Sequence, residues 1–362
     1  MSRRTIAGLL AAGLAVALTI CAALVHVPFV RFQPGPTINV LGKFYGKDII
    51  EVTGHKVYRD DGGLRMVTII PDGPTDNVGL LTVLLAWADS DDAVLPKDAV
   101  YPQHQTGKQA QQESAAQMSS SQDAATAAAL TALKIPFSTE VSDLIAAVDK
   151  TGASAGRLKA GDQLLAVDGK TANTTTGFIK LVQAVKPGTA LPLTVLRAGK
   201  RTTVTVTTRP NPTAPTQSRI GISLSPAPQI KLNLPFKVKF QLSDNIGGPS
   251  AGMMFALSLY DLLTPGSLTG GKSIAGSGEI SPTGVVGPIG GIGQKLVGAQ
   301  RDGARLFLVA AANCAEAERS HYDRNKLRLV KVHTLDDAIK AVEAWRQNPD
   351  AALPGCTQGS TK

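Results

Sequence analysis

Two side chains far apart in the sequence, Ser250 and Lys295, can together perform acyl transfer. Ser250 stands in Gly247-Gly248-Pro249-Ser250-Ala251-Gly252, a hydroxyl among small residues at the start of an apolar helical run. Small neighbours at Gly248, Pro249 and Ala251 let a substrate backbone come close, and the free N–H groups of a first helical turn can face a developing oxyanion. A serine hydroxyl is a poor nucleophile until a base removes its proton. The candidate base follows in Gly290-Gly291-Ile292-Gly293-Gln294-Lys295-Leu296-Val297-Gly298-Ala299. A lysine acts as a base only when neutral. Its pKa must therefore fall by roughly 2–3 from about 10.4, a preference of about 3–4 kcal/mol for the neutral form. Desolvation can do this, and from Ile280 to Gln300 no Asp or Glu holds the charge. Taken alone, Lys295 also reads as a surface lysine on an Ala/Gly helix.

Two neighbouring patterns suggest other chemistry and lack its context. Gly266-Ser267-Leu268-Thr269-Gly270-Gly271-Lys272-Ser273 fits the phosphate-binding P-loop formula, which needs a strand before it and a helix after it. Here a helical run, Met253 to Leu263, precedes it and an extended Ile274-Ala275 follows. Gly248-Pro249-Ser250-Ala251-Gly252 fits the serine elbow of α/β-hydrolases, with Asp323 and His333 in the right order. That fold needs several parallel strands before the serine, and a different module occupies the space. The remaining histidines, His26, His55, His104 and His321, have no metal-ligand spacing, so neither a metal nor any other cofactor is expected.

The elements that must position the pair begin with an anchor. Between Arg4 and Arg31 there is no Asp, Glu, Lys or Arg, and Ile6 to Val25 is apolar enough for a membrane-spanning helix. His26-Val27-Pro28-Phe29 offers no small-x-small cleavage site, and Leu18-Thr19-Ile20 lacks the small residue that a lipoprotein signal places before its cysteine, here Cys21. Arg3, Arg4 and the terminal amine predict a cytoplasmic N-terminus, with everything after about residue 31 outside. The formal charge is +9, but the basic residues are scattered with no aromatic interleaving, which argues against a nucleic-acid partner. In an extracytoplasmic segment Cys314 and Cys356 could pair and staple the tail.

After the anchor, Arg31 to Thr37 reads as a Pro- and Gly-rich connector. Leu64 to Ile70 is a strand. Residues 101–117 lean helical, and Met118 to Leu133 is a helix with Ser119 to Ser121 available as caps. Residues 138–210 have a grammar of their own. Val141 to Val148 is a strand, Gly161-Asp162 a turn, Leu164 to Val167 a buried strand and Asp168-Gly169 a hairpin turn. Thr175 to Val185 is a helix with Phe178, Leu181 and Val185 on one side, and Leu191 to Leu196 and Thr202 to Thr207 are strands joined at Ala198-Gly199-Lys200. Ala155 to Gly169 resembles the A-G-L-K-x-G-D-x-I-x-x-V-D-G pattern of bacterial PDZ domains, with Arg157 inserted and Leu165 near the usual Ile. The resemblance implies a groove that takes a peptide as an added strand. Residues 209–218 read as a linker, Lys237 to Leu242 as a strand, Ser250 to Leu263 as a helix, Gln294 to Asp302 as a helix, Arg305 to Ala310 as a buried strand, and Leu335 to Gln347 as a closing helix.

Residues 218–346 resemble the proteolytic domain of the Lon family. Its serine lies in a D-G-P-S-A-G box and its lysine follows a P-I-G-G turn, here Pro288-Ile289-Gly290-Gly291. The family's T-G-E-I run is matched by Ser277-Gly278-Glu279-Ile280, so Ser277 is implied to orient Lys295. Ile246-Gly247 replaces the Lys-Asp before the box glycine, with Asp244 upstream. Leu64 to Gly73 and Met118 to Leu133 resemble the strand and helix that precede the Lon serine. The implied fold is an α/β (α+β) Lon-type proteolytic domain with an inserted PDZ-like β-rich domain, preceded by one transmembrane helix.

The expected segments are a cytoplasmic start at 1–5, an anchor at 6–27, a connector with first strands at 28–63, the first part of the protease domain at 64–135, the PDZ-like domain at 138–210, the protease core at 218–346 and a tail at 347–362. The implied activity is that of an ATP-independent serine endopeptidase with Ser250 as nucleophile and Lys295 as base. Its partners would be protein or peptide substrates and the membrane, without ATP. Lon-like domains often form rings, which leaves a homo-oligomer open. The competing class is a non-catalytic membrane scaffold in which the PDZ-like domain does the binding.

Overall fold

The computed structural model describes residues 2–102, 105–172, 175–212, 214–224, 229–243 and 245–356. His104 and Asp244 lie outside the described residues. The chain divides into two compact units, Met1–Pro136 with Phe236–Lys362, and Phe137–Pro235.

The discontinuous unit begins with helix α1 (Arg3–Leu24), long and apolar enough to cross a membrane. A short strand β1 (His26–Val27) leads to β2 (Phe29–Asn39), then come β3 (Gly63–Pro71), β4 (Val78–Gly79), helix α2 (Leu80–Ala88), β5 (Ala93–Pro96) and the long helix α3 (Gly107–Ala132). The segment read as a connector, 31–37, is instead part of β2, which pairs antiparallel with β3 and β5. Its prolines fit because the β2–β3 register shifts between Pro34 and Thr37. The β5 pairing covers only Phe29 to Phe32, so the prolines interrupt no ladder on that side. The helix expected from Met118 starts eleven residues earlier, at Gly107. Its cap is Thr106, whose hydroxyl accepts from the Gln109 N–H while the Gln109 side chain accepts from the Thr106 N–H. Ser119 to Ser121 are therefore internal to the helix rather than its caps.

The inserted unit contains β6 (Ser138–Val148), β7 (Gln163–Val167), helix α4 (Thr175–Gln183), β8 (Ala190–Arg197), β9 (Lys200–Thr207), β10 (Ile222–Leu224) and β11 (Gln229–Asn233). Among the described residues the order is β9-β8-β7-β6-β10, with β11 also on β6, and all the pairs are antiparallel. The unit thus extends past residue 210. The stretch read as a linker, 209–218, forms a hairpin of Arg209–Asn211 with Ala214–Arg219, in which Pro210 sits on a two-stranded ribbon and breaks no central ladder. Asp168 (φ 50°) and Gly169 (φ 72°) make the left-handed turn that their residue types predict. Ile145, Leu158, Leu164, Leu193 and Val195 form the core with Phe178 and Val182 of α4, while Leu181 and Val185 only flank it. Asp162 is buried and held by a two-pronged bond from Arg197, at 2.7 and 2.6 Å, so the Gly161-Asp162 turn is pinned from the far strand.

The chain then returns to the first unit with helix α5 (Gly252–Leu263), β12 (Ser273–Ser277), helix α6 (Ile292–Arg301), β13 (Leu306–Ala310), β14 (Arg328–Val332) and helix α7 (Leu335–Gln347). Among the described residues six strands form one sheet in the order β14-β13-β12-β3-β2-β5, parallel from β14 to β3. Every residue of β13 is buried, which explains its unbroken apolar run. After α7 the tail returns along the edge strand β14. The Lys331 N–H donates to the Pro354 carbonyl at 2.8 Å, and Arg328 donates to the carbonyls of Pro349 and Ala351. Cys356 is joined to Cys314, with their Cα atoms 4.9 Å apart.

Candidate active site

Ser250 lies in the turn just before α5, so the helix starts two residues later than the serine. Gly248 adopts φ 84°, a backbone region open to glycine, and its N–H donates to the Ser114 carbonyl of α3 at 2.9 Å. The Ser121 hydroxyl donates to the Pro249 carbonyl at 3.0 Å. One helix thus holds the serine turn at two points. A Cβ on Gly252 would lie 2.7 Å from Ser121 Oγ and 2.9 Å from Ile280 Cγ2, so the packing there requires glycine.

The turn is tied to the end of β12. The Gly278 N–H donates to the Ser250 carbonyl at 3.0 Å, and the Met253 N–H donates to the Gly278 carbonyl at 3.0 Å. Of the amide groups around the serine, Gly252 and Met253 are therefore bonded, whereas the Ser250 and Ala251 N–H groups have no acceptor among the described residues. Pro249 has no N–H and shapes the turn only.

Lys295 sits in α6, whose Ile292, Lys295, Leu296 and Ala299 share one buried face. The helix is preceded by its N-cap Gly291 (φ 67°), the last residue of the Pro-Ile-Gly-Gly turn. The Lys295 side chain is 2% exposed and Ser277 is 1% exposed. Lys295 Nζ donates to Ser277 Oγ at 3.2 Å, and Ser277 Oγ donates to the Ser250 carbonyl at 3.0 Å. Ser250, Ser277 and Lys295 thus converge. The lysine reaches the serine turn through Ser277, and the Ser250 hydroxyl is not itself bonded to Lys295. Burial pushes the Lys295 ammonium down to about 8, while Glu279 and Glu316 oppose the shift. Glu279 falls one residue outside the acid-free window read from the sequence, and Glu316 comes from a segment distant in sequence.

Three supports were not identified from the sequence. Ser114 and Ser121 lie on α3, far from the serine box in the chain. Asn313 clamps the Pro-Ile-Gly-Gly turn, since its Oδ1 accepts from the Ile289 N–H and its Nδ2 donates to the Ile289 carbonyl, both at 2.8 Å. A buried asparagine beside Cys314 carries no motif that would have announced this role. The capping box Thr106-x-x-Gln109 was readable and would have placed the start of α3 correctly. A cleft of about 500 Å³ opens near the serine box, lined in part by Lys108, Gln111, Met118, Phe240, Leu242 and Ile246.

The alternative constellations do not assemble. Lys272 of the P-loop-like run donates to the carbonyls of Trp345 and Arg346 and lies 4.7 Å from the Trp345 ring centre. The Asp323 carboxylate accepts from the Asn325 N–H and pairs with Lys326, and exposed His333 shares no hydrogen bond with it among the described residues.

Comparison with known proteins gives matches to both units. Residues 130–208 match the PDZ domain family, and residues 245–344 match the Lon protease (S16) C-terminal proteolytic domain. A probable periplasmic serine endoprotease, DegP-like, from Halomonas elongata is 45% identical over 65 residues, covering 18% of this chain and 14% of that protein. Among solved structures, the PDZ domain of an SdrC-like protein from Listeria innocua is 20% identical with a TM-score of 0.22, covering 23% of this chain and 92% of that one. A solution structure from Geobacillus thermodenitrificans is 28% identical with a TM-score of 0.21, covering 23% and 94%. This chain is thus similar to a PDZ domain over one stretch and to the Lon protease (S16) C-terminal proteolytic domain over another, and it spans 14% of the length of the curated relative it matches.

Proposed function

We propose that this chain is an ATP-independent, membrane-anchored endopeptidase in which Ser250 is the nucleophile and Lys295 the base. The observation that carries the reading is the buried Lys295, held at about 8 and linked through Ser277 to the serine turn. A neutral Lys295 takes the Ser250 Oγ proton as Oγ bonds to the scissile carbonyl carbon. The N–H groups of Ser250 and Ala251, which have no acceptor among the described residues, would receive the oxyanion. As the C–N bond breaks, Lys295 returns the proton to the leaving amine, leaving an acyl ester on Ser250. Water then attacks the ester, giving a proton to Lys295, which restores it to Ser250 Oγ as the acid departs.

Several observations support the rest of the reading. The cleft beside the serine box suits an extended substrate, and the PDZ domain suits a peptide segment that it presents or gates. The apolar α1 with Arg3 and Arg4 before it supports an anchor with the catalytic unit outside the cytoplasm, where a Cys314–Cys356 bond would persist. The structural bonds of Lys272 support independence from nucleotide. The test uses the full chain in detergent, without ATP, on an unfolded protein substrate. Cleavage should vanish in Ser250→Ala and in Lys295→Met. Equal cleavage by wild type and Ser250→Ala would end the proposal.

A further inference from the structure

Beside the end of α1 lies a surface that the chemistry does not use. β1 pairs antiparallel with β4, and the Leu80 N–H donates to the Val25 carbonyl at 2.8 Å, so α2 starts where α1 stops. From Val78 to Ala88 the chain has no charged residue, and Thr82 is its one polar side chain. A helix on the surface of a globular domain normally turns polar side chains outward. α2 instead buries Val83 and Ala86 and exposes Leu84 (45%), Leu85 (63%) and Trp87 (61%). Leu95 on the neighbouring β5 is 46% exposed, and Trp87 rests edge-on against Phe29 at 6.0 Å. Charge returns immediately after the helix with Asp89, Asp91 and Asp92.

We propose that α2 lies in the interface of the bilayer that α1 crosses, its Leu84–Leu85–Trp87 face seated among the acyl chains and glycerol region of the leaflet where α1 ends. This rests on the anchor reading above. The bond from Leu80 to Val25 fixes the start of α2 at the level of the anchor's last turn, so a bilayer is the surface already beside it. Nine residues make a helix of about 13 Å, too short to cross and suited to lying flat. A tryptophan among leucines is the side chain that the interface favours. The aspartates mark where the helix must emerge into the headgroups and water. A second attachment of this kind would fix the tilt of the proteolytic unit relative to the membrane.

The test uses the full chain in phosphatidylcholine vesicles whose lipids carry bromine at a shallow or a deep acyl position. The Trp87 signal is the emission of wild type minus that of Trp87→Phe, which removes the contribution of buried Trp345. The expected results are that the protein resists alkaline carbonate extraction, that Trp87 is quenched more by the shallow bromine, and that Leu85→Gln reduces this quenching while leaving cleavage of a soluble peptide unchanged. Resistance to extraction with an unquenched Trp87 overturns the inference and leaves the anchor standing. Protection of Trp87 that grows with protein density but not with bromine assigns the face to a second copy and overturns it too. Extraction by carbonate overturns the anchor, and the inference falls with it.

Discussion

Lys295 is a large side chain buried almost as completely as Leu296 beside it, and the cost of keeping it there bears on the role proposed for it. Because burial holds its pKa at about 8, the neutral fraction and hence the rate should rise tenfold per pH unit below about 8 and level off above it. A rate maximum near pH 5 would exclude Lys295 as the base. The same shift predicts a stability effect. The unfolded lysine, near 10.4, binds a proton between about pH 8 and 10.4 where the folded one does not, so stability rises with pH across that window. Below about pH 8 the full penalty, about 3 kcal/mol, is present. Lys295→Met should therefore be more stable than wild type at pH 7 by up to that amount, with the gain fading toward pH 10. Denaturant titration at the two pH values checks this, and a less stable Lys295→Met at pH 7 contradicts it. Taken alone, Lys295 reads as a surface lysine on an Ala/Gly helix, and the signal that could have placed it inside is its spacing. Ile292, Lys295, Leu296 and Ala299 fall at i, i+3, i+4 and i+7, so Lys295 occupies a position on the apolar stripe.

At the scale of elements, the site is a junction of β12, α3, α5 and α6, and its precision depends on bonds between them. Asn313 is the clearest case. Asn313→Ala leaves the N–H and carbonyl of Ile289 unpaired at the turn that launches α6, at a cost of about 1–3 kcal/mol. Displacing Lys295 by about 1 Å should lower kcat by about 10²-fold while KM changes little. Unchanged kcat would show that the turn holds its shape without the clamp. Local periodicity made α6, β13 and α7 readable to within two residues, because each shows either a helical stripe or a continuous apolar run. The supports escaped because they join residues far apart in the chain: Ser121 reaches Pro249 and Asn313 reaches Ile289, and neither pair shares a local pattern. The Pro-rich stretches misled for the opposite reason. Pro34 and Pro210 suggest loops, but a register shift and a two-stranded ribbon accommodate them within strands.

For the whole molecule, the inserted unit Phe137–Pro235 has its own core, so the other unit is assembled from two stretches of chain separated by it. The PDZ pattern was readable because turn residues at fixed offsets define it, whereas its far boundary was not, since β10 and β11 are short and follow a hairpin that resembles a linker. The Cys314–Cys356 bond closes a loop of 42 residues, and Cys314→Ser with Cys356→Ser should lower stability by about 2–4 kcal/mol. Identical melting of the oxidised wild type and the double variant would contradict this. The tail held by that bond has a second consequence. β14 is an outer strand of the six-stranded sheet, and an uncovered outer strand is a template for pairing with another chain. The returning tail occupies the Lys331 N–H and lies over that row of backbone groups. With the cysteines reduced, the tail keeps only its hydrogen bonds to Lys331 and Arg328, so the reduced chain should pair through β14 more readily than the oxidised one, which light scattering of the two forms checks.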